Sequence, residues 1–241
     1  MKRTDLTFKP SLVAIVLATT LLSACGDDND NMPPVESTPP AAVMQTFTVT
    51  VTNLTANQPL SPVFLAAHNA ETYLWKVGQP ASVAIEMIAE GGDASGLEAL
   101  ENLTASVTGT NPILPGMSET LTLSVEESAV ANISLASMLG NTNDGFTGVN
   151  SYNIAGMEVD APIMMRRMAY DAGTEVNSEA KGTIPGPADE GEGFNEQRDD
   201  INFVHGHPGV ISQYDGLADS VLMPSHRFDN PVVAIKIVRT E

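Results

Sequence analysis

Two carboxylates four residues apart, Asp171 and Glu175, flank a glycine in Tyr170-Asp171-Ala172-Gly173-Thr174-Glu175. Glycine adopts the backbone conformations of tight turns, so a loop curled around Gly173 can bring both carboxylates to one point. Such groups repel unless a cation neutralises them, and an oxygen-only donor set suits a hard ion such as Ca²⁺. A third carboxylate, Asp144, lies in another glycine-containing loop, Asn141-Thr142-Asn143-Asp144-Gly145-Phe146-Thr147-Gly148, after an apolar stretch at 133–139. By residue type alone a solvated acidic turn and a cation site both remain open, and the solvated turn is the simpler reading.

The other chemistry-bearing residues form weaker patterns. His205-Gly206-His207-Pro208 can place two imidazoles on one side of an extended segment, with His68 or His226 joining them at a metal. The plainer reading is that these rings hydrogen-bond to loop backbone. Met164-Met165-Arg166-Arg167-Met168 reads as strand residues with partly buried methionines, and Trp75 reads as core. Nucleophile elbow, zinc-protease helix, P-loop and dinucleotide glycine fingerprint are all absent from the sequence. A non-enzymatic role is therefore expected, with a hydrolase using carboxylates and His205 or His207 as the alternative.

The elements that would position these residues are mainly strands. Phe47, Val49 and Val51 alternate with threonines, and Val233, Ile235 and Ile237 repeat the period-two pattern near the end of the chain. Shorter strands are expected at 63–68, 104–107, 119–125, 163–170 and 201–205, with Gly, Pro and Asn between them. The strands near 45 and 239 are expected to pair or neighbour each other. Two short helices are expected at 82–90 and 95–103, broken by Gly91-Gly92, and a long acidic loop at 185–200. The expected fold class is all-β, an antiparallel β-sandwich with one or two short helices.

The beginning of the chain carries an address. Lys2, Arg3 and Lys9 precede an apolar run at 12–22, and Leu22-Ser23-Ala24-Cys25 ends in the only cysteine of the sequence. This ending resembles the lipobox of bacterial lipoproteins, which implies cleavage after residue 24 and lipidation of Cys25. Several acyl chains anchor durably where one binds only marginally. Gly26 rather than Asp after the cysteine points, by the same resemblance, to the outer membrane. Residues 25–44 read as an acidic, proline-rich tether. Cysteine lipidation would leave no thiol nucleophile and no disulfide.

Charge narrows the partners. The 241 residues hold 30 acidic and 11 basic side chains, a net charge of −19. Residues 1–24 contain Lys2, Arg3 and Lys9 against Asp5, a net of +2, so the chain without them carries −21. That surface excludes nucleic-acid backbone binding and disfavours anionic headgroups, which leaves membrane attachment to the lipid.

The ordered loops at 143–148 and 170–175, with Ile184-Pro185, Val77-Gly78-Gln79-Pro80 and the ending Pro231-Val232-Val233-Ala234-Ile235-Lys236, resemble the spondin domain of F-spondin-type matrix proteins and bacterial lipoproteins. The resemblance extends over 45–241. It implies a C2-like β-sandwich with one calcium site, whose carboxylates fall on Asp144, Asp171 and Glu175. It also implies adhesion or contact with an unknown protein or glycan; a structural periplasmic lipoprotein is a further alternative. Two positions depart from the animal pattern, Glu175 where Asp is usual and Gly145 where an aromatic follows the first Asp.

Overall fold

The computed structural model describes residues 41–129 and 131–241. The signal segment, Cys25 and the tether as far as residue 40 lie outside the described residues. In the first strand, β1 (Met44–Asn53), every second side chain is buried. Strands β2 (Phe64–His68), β3 (Leu103–Thr108), β4 (Ser118–Glu126), β5 (Asn132–Met138) and β6 (Gly145–Asn153) follow, then β7 (Ile163–Arg167), β8 (Ala169–Asp171), β9 (His205–Gly206) and β10 (Val233–Arg239). They form two antiparallel sheets, one in the order β4-β1-β10-β7 and the other in the order β3-β2-β5-β6-β8-β9. The protein is an all-β sandwich with two short helices, as its patterning implies.

The four-stranded sheet follows the alternation rule closely. Phe47, Val49, Val51, Leu121, Leu123, Ile235 and Ile237 point inward and build the core between the sheets. On the outer face Thr50–Thr120 and Thr52–Ser118 hydroxyl pairs meet at 2.8 and 2.7 Å across β1 and β4. Such paired hydroxyls satisfy each other on a solvated face, where β-branched residues also favour the extended backbone. The two terminal strands pair over seven residues, Phe47 opposite Arg239 through Asn53 opposite Val233.

The six-stranded sheet is different because both of its faces are covered. Helices α1 (Val83–Gly91) and α2 (Ser95–Glu98) pack on its outer side. There Ile85, Ile88 and Leu97 meet Phe64, Ala66 and Phe146 in a second core. Consequently every residue of β2 and of β5 is buried. Strands covered on both faces lose the polar alternation that marks a half-buried strand. This is why β5 reads only as an apolar run in the sequence, and β6 as a loop.

Several expected boundaries are corrected by the fold. The segment at 163–170 divides into β7 and β8, which belong to different sheets. Of the strand expected at 201–205, only His205 enters a strand, the two-residue β9. The second helix ends at Glu98 instead of 103. Helix α1 begins at the Ser82 cap, whose hydroxyl accepts the Ile85 amide at 3.3 Å, and stops where Gly92 turns left-handed at φ 66°.

The acidic segment at 185–200 contains no regular element, yet it is pinned to α1. Arg198 donates to both oxygens of the buried Glu86 carboxylate, at 2.9 and 2.6 Å, and to the Ala81 carbonyl at 2.9 Å. Asn195 donates its amide to Glu90 at 2.9 Å. A bidentate guanidinium–carboxylate pair of this kind fixes direction as well as distance. The following residues are therefore delivered to the end of β8.

Candidate metal centre

The site sits where the β5–β6 turn meets the end of β8. Gly145 stands directly opposite Asp171 in the β6–β8 pair, and Phe146 stands opposite Tyr170. Phe146 and Tyr170 then stack with Trp75 at ring-centroid separations of 5.2–5.6 Å. Alternation sends Tyr170 into this aromatic cluster and Asp171 to the opposite face. The apolar cluster thus fixes the strand ends that carry the acids, and Trp75 is a core residue.

Glycines close the turns. Gly173 has φ 69°, and a Cβ there would lie 2.4 Å from the Phe203 carbonyl oxygen. Its amide donates to Asp171 Oδ1 at 2.8 Å, which closes the loop over the carboxylate. The Gly145 amide donates to Thr142 Oγ1 at 2.9 Å, while Thr142 donates to the Leu139 carbonyl at 2.6 Å. These bonds shape the turn that carries Asp144.

Asp144 and Asp171 are both fully buried. Asp144 Oδ2 accepts the amides of Thr174 and Glu175 at 2.8 and 3.2 Å, and the Thr174 hydroxyl at 3.3 Å. Its other oxygen, Oδ1, is buried without a partner. Burial, and then the neighbouring Asp171 charge, push the Asp144 carboxyl up to about 8. Asp171 Oδ2 accepts from Asn177 at 2.7 Å.

Glu175 is half-buried, and its Oε1 accepts from Asn143 at 2.9 Å. Burial raises its carboxyl to about 7, opposed by the Asn143 hydrogen bond and assisted by the charges of Glu90, Asp199 and Glu192. The structure therefore sets Asp144 beside Asp171 and joins Asp144 to the backbone of Glu175. The Glu175 side chain is engaged by Asn143.

Among the described residues, the group whose ligand atoms all lie within 4.8 Å of one another is Asp171, Asp200 and His205. Asp171 belongs to both arrangements. Asp200 and Asn177 were not singled out by sequence reasoning; Asp200 lies in an acidic loop with no local pattern. His205 opposes Asp171 in the β8–β9 pair, with Nε2 3.2 Å from Asp171 Oδ1. His68 and His226 are engaged elsewhere. His68 bonds to Ser134 and the Asn69 carbonyl at 2.7 and 2.8 Å, and His226 Nδ1 accepts the Met223 amide at 2.9 Å. His207 is buried, and its Nδ1 accepts the Gly209 amide at 3.0 Å.

The fold is a two-sheet β-sandwich with acidic turns gathered at one end of β8. The Spondin_N family model matches residues 47–182. The match spans more than half of the chain, which belongs to that family. Asp144, Asp171 and Glu175 lie within the matched segment, whereas Asp200 and His205 lie beyond it. Strand β10 also lies beyond it, although it completes the first sheet by pairing with β1. No curated protein matches the chain.

Proposed function

We propose that this chain is a non-enzymatic, calcium-binding spondin-domain lipoprotein of the bacterial cell envelope. Lipidated Cys25 would hold it in the outer membrane, and the domain would serve adhesion or contact with a protein or glycan partner. The observation that carries the calcium reading is the pair of fully buried carboxylates, Asp144 beside Asp171, with the Oδ1 oxygen of Asp144 lacking a partner. Ionising both of these buried carboxylates is costly without a counter-ion, which is why Asp144 holds its proton up to about 8 in the calcium-free protein.

The donor set fits a hard cation. Asp144 Oδ1 is free of hydrogen bonds, Asp171 offers oxygens shaped by Gly173 and Asn177, and Glu175 completes the acidic set if it leaves Asn143. Backbone carbonyls and water would fill the remaining positions, as oxygen-ligated calcium requires. Asp144 on the β5–β6 turn and Asp171 and Glu175 on the loop after β8 would hold the ion, which would supply positive charge there. The protein's own part is to hold these turns on the aromatic cluster.

Calorimetric titration of the full-length chain should show one calcium-binding event. Extracellular modules bind at about 10⁻⁴–10⁻³ M, so the titration must reach millimolar calcium. Asp144→Asn and Asp171→Asn should abolish the heat; an unchanged isotherm in both variants would refute the assignment. The anchor has its own test, membrane fractionation after a salt wash. Cys25→Ser should move the protein to the soluble fraction, and retention in the membrane would contradict lipid attachment.

A further inference from the structure

We propose that Asp171, Asp200 and His205 form a second metal site, selective for zinc-class divalent ions. It uses a nitrogen donor that calcium does not favour, and two of its three residues lie outside the segment matched by the family. It shares only Asp171 with the calcium reading, and it stands or falls separately.

The β8–β9 register sets His205 opposite Asp171, and directly opposed residues share a face of the sheet. Asp200 reaches the same point through loop contacts. The Asp199 amide donates to the Thr174 carbonyl at 3.1 Å, and the Asn202 amide donates to the Gly173 carbonyl at 2.7 Å. Asp200 is therefore held between two backbone links to the very loop that follows Asp171. All three ligand atoms lie within 4.8 Å of one another.

His205 Nδ1 lies 3.0 Å from the Gly206 carbonyl oxygen, which can only accept, so Nδ1 carries the hydrogen. In the neutral ring Nε2 is then a bare acceptor. It nevertheless lies 3.2 Å from Asp171 Oδ1, another acceptor, and makes no hydrogen bond. A cation bound to both atoms satisfies them together, as a second proton on the ring also would, and titration with zinc separates the two.

Zinc-binding histidines commonly donate their other ring nitrogen to a backbone carbonyl, as His205 does. Zinc bonds of about 2.0–2.1 Å set tetrahedral ligand atoms about 3.3 Å apart. The observed 3.2 Å is close to that edge length. Imidazole with carboxylates is a donor set for zinc rather than for calcium.

The surroundings supply an independent sign. His207 is only 5% exposed, and its Nε2 also lacks a partner. Its ring packs on Gly145, which itself faces Asp171; a Cβ on Gly145 would lie 2.9 Å from the ring Cδ2. Unpaired buried polar atoms of Asp144 and His207 thus flank the same fully buried aspartate. His205 and Asp200 are half-buried, which leaves the cluster a route for exchange with solvent.

The test uses the full-length chain without a histidine tag, stripped with EDTA and titrated with zinc alone, then with cobalt as a spectroscopic substitute. The wild type should bind about one equivalent of zinc and develop the visible bands of low-symmetry cobalt. His205→Ala and Asp200→Asn should lose at least tenfold in zinc affinity and lose those bands. Their calcium response should remain, which also shows that they fold. Asp144→Asn should keep zinc binding while losing calcium. Nitrogen NMR should show His205 Nε2 changing from free or protonated to metal-bound. Zinc affinity unchanged in both His205→Ala and Asp200→Asn, or a wild type that takes up no zinc while still titrating calcium, would overturn the proposal.

Discussion

Calcium is expected to raise the melting temperature of the full chain, and by more at about pH 8.5 than at about pH 5. In the calcium-free protein, burial and the Asp171 charge raise Asp144 from 3.8 to about 8, and burial raises Glu175 from 4.5 to about 7. The folded state thus holds these protons more tightly than the unfolded chain does. Their contribution to stability is fully present below the unfolded values and declines as pH rises, until it is lost above about 8. Bound calcium would replace the protons as the neutralising charge, so the saturated protein should escape this decline.

The difference between the two curves should therefore widen with pH. Calcium at about a hundredfold its dissociation constant stabilises by about 2.7 kcal/mol, or about 5–10 °C in a domain of this size. Affinity itself should tighten by up to about tenfold per pH unit for each proton displaced. Thermal scans with EDTA and with calcium, at several pH values, measure all of this. Parallel curves with a constant offset would contradict the role given to Asp144, and Asp144→Asn should flatten the calcium-free curve.

Gly148→Ala should prevent folding. Gly148 lies in β6 opposite Ala136, and a Cβ there would lie 1.8 Å from the Leu135 carbonyl oxygen. That oxygen is backbone in a strand buried on both faces, so no side-chain rotation relieves the clash. Separating β5 from β6 would disrupt both cores at once. We expect a loss of more than about 4 kcal/mol, the range associated with a disrupted core.

Gly193→Ala is the matched control. The nearest atom to its Cβ is 3.5 Å away and its φ is not positive, so a change within about 0.5 kcal/mol is expected. Urea unfolding followed by circular dichroism compares the two. A normally stable Gly148→Ala protein would mean that β5 and β6 are not held in this register.

The contrast between the sheets explains how far the fold can be read from the sequence alone. β1 and β10 are legible because one face meets water, so Phe47, Val49, Val51, Val233, Ile235 and Ile237 alternate visibly with polar residues or partly exposed ones. In β5 the pattern disappears because helices cover the other face, and Asn132, Ser134 and Ser137 are buried together with Ile133 and Leu135. Expected helix and loop positions near 82–100 and 185–200 follow from caps, glycines and acids, which act locally.

For the site, local chemistry has the same reach and the same boundary. Gly173 between Asp171 and Glu175 marks an acid-bearing turn in the sequence itself, because a left-handed residue favours glycine wherever it occurs. The Spondin_N match extends that recognition to the domain. Only the folded chain decides that Glu175 bonds to Asn143, that Asp144 has an unpartnered oxygen, and that Asp200 and His205 converge on Asp171. Those relations arise from strand register and from loop-to-loop hydrogen bonds between distant residues. Spacing along a chain carries no record of them, since the same residues in another register would face apart.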